Sequence, residues 1–211
     1  MQLKQEIEDL NQMVLKMCAL VQRNIKNALD IYKGEDVKMI VNDDIVDQYE
    51  RMIDEICLDI LIKERPWAKD LREIMGIIKL TTDLERIADH AEDILGFNNE
   101  LKKIKTINNI QIDDIVSQVL KMIDGSIQSF VKKDLELASN VIKMDDYIDT
   151  QFLKIVEELK HININTKDAL PFAIYSTLVI KYIERIADHA VNIAEWTTFI
   201  VNGYLKDTKI Y

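Results

Sequence analysis

Glycine and proline are scarce in this sequence, with five and two copies among 211 residues. Sandwiches and barrels draw on both residue types for their many tight turns, so the composition disfavours an all-β fold. No run of 18 apolar residues occurs, and we expect no segment that inserts into a membrane. The opening residues MQLKQEIEDL carry charges where a secretion signal needs an apolar stretch. We therefore expect a cytoplasmic protein.

Basic residues are outnumbered, because 27 Lys and Arg stand against 37 Asp and Glu, a net charge of −10. This balance repels nucleic-acid phosphates and suits cations, so we expect no nucleic-acid partner. Cysteine is limited to Cys18 and Cys57, which we interpret as small buried hydrophobic residues in a reducing compartment. The hydrophobic fraction of 48% is ample for a packed core and excludes disorder.

Apolar residues recur every three or four positions along almost the whole chain, which is typical of amphipathic helices. Gly34 is expected to end the first helix and Gly203 to follow the last one. We expect Pro66 at the first position of a helix, and Asp168 as the cap of another. The predicted helices span residues 3–32, 35–63, 66–95, 110–132, 134–161 and 168–201, with 97–109 as a linker. Gly76 and Gly125 lie inside helices, where close packing could require them.

An internal repeat divides the chain into two halves. The sequence ERIADHA occurs at residues 85–91 and again at 184–190, an offset of 99. Upstream, DDIVD at 43–47 matches DDYID at 145–149, an offset of 102. We therefore predict an elongated all-α fold of six long helices, arranged as two tandem three-helix bundle repeats. The first repeat is assigned to residues 1–98 and the second to residues 108–211.

Each half carries two acidic pairs spaced i, i+4, which places both carboxylates on one helix face. Such pairs repel, and acidic groups on core-facing stripes must be paired, protonated or bound to a metal. Carboxylate oxygens suit Mg²⁺, Mn²⁺, iron or Ca²⁺. The spacing predicts metal sites in both halves, and the case is weakest for the first pair, which only flanks its apolar stripe. The predicted ligands are Asp43, Asp47, Glu85, Asp89, Asp145, Asp149, Glu184 and Asp188.

Arginine offers a different explanation of the same carboxylates, since Arg86, Arg185 and Arg51 stand close to them in sequence. The acidic faces would then be solvated or paired with these side chains. His90 and His189 adjoin the motif but point about 100° away from the preceding Asp. We interpret both histidines as hydrogen-bonding residues, with ligation left open. Trp67 and Trp196 are interpreted as packing residues.

These motifs resemble the PhoU family over nearly the whole chain. The most specific pieces are LERIADHA at 84–91 and ERIADHAVNIAE at 184–195, where the family commonly has Gly in place of Ala88 and Ala187. The segment RPWAKDLR at 65–72 is similar to the family's Pro-x-Ala-x-Asp-Leu-Arg segment. That segment has no clear counterpart in the second half, and Asp93 of one repeat matches Asn192 of the other.

The resemblance implies two three-helix bundles with multinuclear metal sites, holding iron, zinc, Mn or Mg, at the eight carboxylates named above. It also implies a cytoplasmic negative regulator of the phosphate-starvation response that is not an enzyme. Such a regulator acts as an adaptor between the ATPase of a phosphate ABC transporter and a membrane sensor histidine kinase. A homodimer is a further expectation. Accessory proteins of other phosphate permeases are similar to this family, so the transporter served stays open.

Two other classes of protein remain as alternatives. A di-metal carboxylate enzyme in a helical bundle would place Glu-x-x-His motifs on its helices, and we expect none in this chain. No nucleophile–base set or Gly-rich phosphate loop is visible, so no catalytic and no cofactor-binding residue is assigned. A helical scaffold without metal is the second alternative. A measurement of metal content distinguishes the scaffold from a metal-binding regulator. An assay for catalytic turnover distinguishes the enzyme from both.

Overall fold

The computed structural model describes residues 2–37, 43–104, 110–162 and 167–204. These ranges contain six α-helices and no strand, which confirms the predicted all-α fold. The two longest helices have 34 residues each and are about 51 Å long at 1.5 Å per residue. None of the described helices is long and apolar enough to cross a bilayer. The helices are α1 (Gln2–Tyr32), α2 (Asp44–Glu64), α3 (Ala68–Leu101), α4 (Asp113–Lys132), α5 (Leu135–Lys160) and α6 (Ala169–Asn202).

The second helix is shorter than the sequence predicts. It begins at Asp44 rather than near residue 35, because residues 35–37 are not helical. Residues 38–42 of the predicted helix lie outside the described residues. Asp43 occupies the N-cap position, and Asp44 and Asp47 lie in the first turn, where carboxylates face the positive end of the helix dipole. The acidic residues of this segment thus mark the start of α2 instead of its middle.

The third helix is longer than predicted, since it continues past Gly96 to Leu101. A glycine inside a helix costs about 1 kcal/mol relative to alanine. Tertiary contacts offset that cost: Phe97 packs against the core, and buried Asn98 donates from Nδ2 to the Ile31 carbonyl over 3.3 Å. The predicted linker at 97–109 is therefore partly helical, and its residues 105–109 lie outside the described residues.

Several predicted helix ends are confirmed. Gly34 and Gly203 follow α1 and α6 with φ angles of 89° and 85°, a left-handed conformation that favours glycine. Asp134 caps α5, because its side chain accepts a hydrogen bond of 3.0 Å from the backbone N–H of Leu137. Asp168 occupies the N-cap position of α6 as predicted, although its side chain makes no capping hydrogen bond.

The start of α3 contradicts the interpretation of Trp67 as a packing residue. The helix begins at Ala68, not at Pro66, and Trp67 is the N-cap residue with 85% of its surface exposed. Both Arg65 and Ala68 have positive φ angles, of 47° and 40°, so the turn directs the indole outward instead of folding it onto the core. Trp196, in contrast, is half-buried and packs against the core as predicted.

The six helices form two three-helix layers that meet along α3 and α6. Helices α1, α2 and α3 pack together, as do α4, α5 and α6, and the most extensive contact joins α3 to α6. These two helices are antiparallel: Gly76 lies beside Ile200, whereas the ring of Phe97 lies 6.3 Å from that of Tyr175. We call the contact between α3 and α6 the central seam.

Close helix packing accounts for two glycines, as the sequence suggests. A Cβ atom at Gly76 would lie 2.3 Å from Cγ1 of Ile200 across the central seam. A Cβ at Gly125 would lie 2.8 Å from Cγ2 of Val141 on α5. Both distances are far below van der Waals contact, so the absence of a side chain lets the helices approach each other.

The core follows the predicted apolar stripes. In α1 the buried positions follow one another at intervals of three or four residues, as the predicted periodicity requires, and include Ile7, Leu10, Val14, Met17, Val21, Ile25 and Ala28. Cys18 and Cys57 are buried free thiols, as interpreted from the sequence. Burial raises the pKa of each thiol to about 12. Neither cysteine therefore has the accessible thiolate that metal binding or nucleophilic chemistry requires.

Candidate metal centre

Carboxylates from α2 and α3 meet in the first half of the chain. Asp43 and Asp47 lie at the start of α2, and Glu85 and Asp89 lie one turn apart in the middle of α3. One carboxylate oxygen from each of Asp47, Glu85 and Asp89 lies within 4.8 Å of the others. Burial raises the pKa of Asp89 against the opposing charge of Arg86, and the charges of Asp43 and Asp47 add to the rise. We call these four residues the first cluster.

The first cluster is short of compensating charge and hydrogen-bond donors. Burial, together with the neighbouring charge of Asp89, raises the pKa of Glu85 to about 7. Asp47 Oδ1 and Glu85 Oε2 are buried oxygens that accept no hydrogen bond. Buried carboxylate oxygens without a partner destabilise the fold unless a proton or a cation reaches them. The arrangement therefore suits an added positive charge.

Arginine partners, the alternative considered from the sequence, are present at the edge of the first cluster. Arg86 Nη1 lies 3.2 Å from Asp89 Oδ2, and its Nε lies 3.3 Å from Glu85 Oε2, too poorly aligned for a hydrogen bond. Arg51 Nη2 lies 3.4 Å from Asp47 Oδ2. The side chains of Arg86 and Arg51 are 54% and 72% exposed. These largely solvated ion pairs contribute little stability, and they leave Glu85 Oε2 without a hydrogen bond and Asp47 Oδ1 without any partner.

Two further carboxylates extend the first cluster and were missed by the sequence analysis. Glu92 shares a hydrogen bond with Asp43, which raises the pKa of Glu92 to about 7. Burial raises the pKa of Glu50, and the charge of Asp47 adds to the effect. Each lies three residues after a predicted ligand, Glu50 after Asp47 and Glu92 after Asp89. The i, i+3 spacing places them on the same helix faces, and this was the available signal.

The second half assembles the equivalent carboxylates from α5 and α6, which we call the second cluster: Asp145, Asp149, Glu184 and Asp188. Burial, followed by the charges of Asp188 and Asp149, raises the pKa of Asp145 to about 6. Asp145 Oδ1 is buried without a hydrogen bond, whereas Glu184 Oε2 lies 2.5 Å from the ammonium of Lys181. Within the described residues, only the first cluster brings three oxygens within 4.8 Å of one another.

The two motif histidines face the central seam instead of the carboxylate clusters. His189 Nδ1 lies 2.8 Å from Asp83 Oδ1, and Asp83 also accepts hydrogen bonds from Asn192 Nδ2 and Trp196 Nε1 at 2.9 and 3.0 Å. His90 is buried against the rings of Tyr182 and His189, and neither of its ring nitrogens has a hydrogen-bond partner. Burial lowers the pKa of His90 to about 4. The hydrogen-bonding interpretation therefore fits His189 and not His90.

The donor chemistry of both clusters fits a hard divalent cation. Each cluster offers carboxylate oxygens from two packed helices and at least one buried oxygen without a partner. Such oxygens are preferred by Mg²⁺, Ca²⁺ and Mn²⁺. The expectation of no Glu-x-x-His sequence is wrong, because Glu158 and His161 form one outside the repeated motif. It lies at the exposed end of α5, where His161 Nε2 is 3.6 Å from Glu157 Oε1, and it belongs to neither cluster.

Fold and site together define a helical protein built from a duplicated three-helix unit, with a carboxylate cluster in each copy. A family model described as the PhoU domain matches residues 14–96 and 112–197, and the chain belongs to the PhoU family. A relative from Clostridium acetobutylicum, named phosphate-specific transport system accessory protein PhoU homolog, is 31% identical over 96% of this chain and 95% of its own length. The homolog of the same name from Pseudomonas aeruginosa is 32% identical over 96% of this chain and 86% of its own length.

Solved structures agree with this assignment. The crystal structure of PhoU from Pseudomonas aeruginosa superimposes with a TM-score of 0.86 at 30% identity, covering 95% of this chain and 99% of that one. The phosphate transport system regulatory protein PhoU from Streptococcus pneumoniae also gives a TM-score of 0.86, at 24% identity, over 98% and 100% of the two chains. The second likeness supports the fold alone.

Proposed function

We propose that this protein is a cytoplasmic, metal-binding accessory regulator of phosphate transport. Near-complete alignment with relatives named as phosphate-transport accessory proteins supports the transport role. The observation that carries the metal part is the meeting of Asp47, Glu85 and Asp89, whose oxygens lie within 4.8 Å of one another. An enzymatic role has less support, because in the described part of the chain neither cluster adjoins a nucleophile–base pair.

A divalent cation at the first cluster would be held by Asp47, Glu85 and Asp89, with Asp43 beside them. The cation would be iron, zinc, manganese or magnesium, and would supply positive charge to a group of acids that the chain itself leaves undercompensated. Because its ligands come from two helices, it would fasten the start of α2 to the middle of α3. Asp145, Asp149, Glu184 and Asp188 would do the same for α5 and α6.

The regulatory part of the proposal concerns partners. We propose that the protein acts negatively on the phosphate-starvation response as an adaptor between the ATPase of a phosphate ABC transporter and a sensor histidine kinase. The side chains that we assign to docking are exposed and apolar: Trp67 is 85% exposed, and Ile62, Leu153 and Leu170 are each at least 65% exposed. The alternative is that the protein serves a different phosphate permease. We also propose that it forms a homodimer.

Affinity capture from phosphate-replete cells tests the adaptor role. A tagged full-length chain should retain the transporter ATPase and the sensor kinase. The Trp67→Ala variant serves as a second bait that removes one exposed side chain without touching the core. Deletion of the gene should switch on phosphate-starvation genes in phosphate-rich medium, and the wild-type chain should restore repression. Recovery of neither partner, together with unchanged gene expression, would reject this role, and light scattering reports the oligomeric state separately.

A further inference from the structure

We propose that the two clusters bind divalent cations with different affinities, the first more tightly, because Lys181 places its ammonium in the second cluster where the first has Thr82. This inference rests on the proposed metal binding and adds to it the property that distinguishes the two halves. The repeat offset of 99 residues makes Thr82 and Lys181 equivalent positions, three residues before Glu85 and Glu184. At this one pair of matched positions the second half carries a positive charge and the first half carries none.

In the second half, the ammonium of Lys181 acts as a built-in cation. Its Nζ lies 2.5 Å from Glu184 Oε2 and 5.2 Å from the ring centroid of Phe152. Glu184 is the most buried member of the second cluster, with 8% of its surface exposed. A divalent cation that binds here must displace the ammonium from that carboxylate or bind beside it, and a neighbouring positive charge weakens cation binding.

In the first half, the equivalent position is neutral. The hydroxyl of Thr82 donates to the carbonyl of Ile78 over 3.1 Å and brings no charge to Glu85. Arg86 and Arg51 supply guanidinium groups at the rim of the cluster, but their side chains are 54% and 72% exposed and leave Asp47 Oδ1 without a partner. The equivalent arginine in the second half, Arg185, lies over the ring of Tyr182, 5.5 Å from its centroid.

The supply of carboxylates also differs between the halves. Glu50 and Glu92 add two acids to the first cluster, whereas the repeat offsets place Phe152 and Val191 at the equivalent positions of the second. The first cluster is the stronger cation site because three of its carboxylate oxygens lie within 4.8 Å of one another, it has more acidic groups, and the positive side chains that contact it are more than half exposed. The second cluster keeps one buried unpaired oxygen, on Asp145, and so retains a weaker site instead of none.

The test first measures metal binding by each cluster alone and then substitutes Thr82 or Lys181, the residues that distinguish the two clusters. Glu85→Gln with Asp89→Asn leaves only the second cluster, and Glu184→Gln with Asp188→Asn leaves only the first. Mn²⁺ alone is the probe, with free ion measured by electron paramagnetic resonance and folding checked by circular dichroism. The first-cluster protein should bind Mn²⁺ more tightly than the second-cluster protein by about tenfold, the scale of one nearby charge at a partly exposed site.

Charge exchange then assigns the cause. In the second-cluster protein, Lys181→Met should tighten Mn²⁺ binding about tenfold, and Lys181→Arg, which keeps the charge, should not. In the first-cluster protein, Thr82→Lys should weaken binding, and Thr82→Met, which adds similar bulk without charge, should not. Equal affinities of the two clusters, or no response to Lys181→Met, would overturn this inference and leave metal binding intact. Absence of Mn²⁺ binding from the wild-type protein would overturn the proposed metal function and this inference with it.

Discussion

The Nδ1 atom of His189 lies 2.8 Å from Oδ1 of Asp83, so a motif residue of the second half is fixed by an acid of the first. The repeat offset of 99 makes Tyr182 the counterpart of Asp83 and His90 the counterpart of His189. The equivalent contact is accordingly His90 against Tyr182, with ring centroids 4.9 Å apart and no hydrogen bond to the imidazole. The two ends of the central seam thus have matching geometry, but one end has a histidine–carboxylate contact and the other a histidine–tyrosine ring contact.

Removal of the carboxylate at Asp83 should destabilise the protein strongly. Asp83→Ala leaves the half-buried polar groups of His189, Asn192 and Trp196 without the carboxylate that they share, and we expect a loss of about 2–4 kcal/mol in the free energy of unfolding. Urea denaturation followed by circular dichroism measures it. The control is Asp93→Ala on the same helix, where the side chain is 47% exposed and the loss should stay below about 1 kcal/mol. Equal losses for both variants would contradict a structural role for Asp83.

Two glycines of α3 should respond in opposite directions to the same substitution. Gly96→Ala should stabilise the protein by up to about 1 kcal/mol, because a Cβ there meets no atom within 4 Å and alanine is the better helix former. Gly76→Ala should destabilise it by about 1–3 kcal/mol, because its Cβ would collide with Ile200 across the central seam. Thermal melts of the two variants check this pair. Stabilisation by Gly76→Ala would show that the seam can widen freely.

Chelation should lower the melting temperature of protein purified with its metal. A cation present at 100 times its dissociation constant stabilises the folded state by about 2.7 kcal/mol, and a chelator withdraws that amount. Adding back Mg²⁺, Mn²⁺ or iron should restore the melting temperature. Glu85→Ala with Asp89→Ala should empty the first cluster and spare the second, and Glu184→Ala with Asp188→Ala should do the reverse. If elemental analysis finds no metal in any preparation and chelators leave the melting temperature unchanged, the metal-site assignment is wrong. The carboxylates are then solvated or paired with arginine.

The metal-free protein should lose stability as the pH rises from about 4.5 to about 7. Burial raises the pKa of Glu85 from 4.5 in the unfolded chain to about 7 in the folded one. Between these values the folded state binds more protons than the unfolded state, so the free energy of unfolding falls with increasing pH. Melting curves recorded in chelator across this range measure the slope. Glu85→Gln should make the slope shallower without removing it, because Glu92 and Asp145 also have raised pKa values. A slope as steep in Glu85→Gln as in the wild type would show that Glu85 ionises as it does in the unfolded chain.

Helical periodicity predicted most of the fold, because the apolar stripe of each helix is the same surface that the bundle buries. The stripe of α1 could be read directly, and so could the glycines at the ends of α1 and α6. The start of α2 could not be predicted, because the position of a helix end depends on capping and dipole interactions of only a few residues. The extension of α3 past Gly96 depends on a contact between Asn98 and Ile31, which are far apart in the chain.

The candidate site was predicted in part. All four members of the first cluster were predicted from the i, i+4 pairs. The pair Asp43 and Asp47 had the weakest support in the sequence, yet Asp47 is one of the three residues whose carboxylate oxygens lie within 4.8 Å of one another. Glu50 and Glu92 were missed because attention to strict i, i+4 pairs passes over i, i+3 neighbours on the same face. The role of Asp83 depends on which residue of α6 lies opposite it, and no single helix contains that information.

Tandem fusion gives this molecule a freedom that a symmetric assembly of identical subunits lacks. In a twofold homodimer, any residue placed at one end of the interface appears at the other end as well. Here the two ends of the central seam are separate positions of one chain, so an acid at Asp83 can coexist with a phenol at Tyr182. Thr82 and Lys181 can diverge in the same way. The duplicated architecture therefore allows the two halves to take on different roles, because a residue can be substituted at one end of the seam without the same substitution at the other.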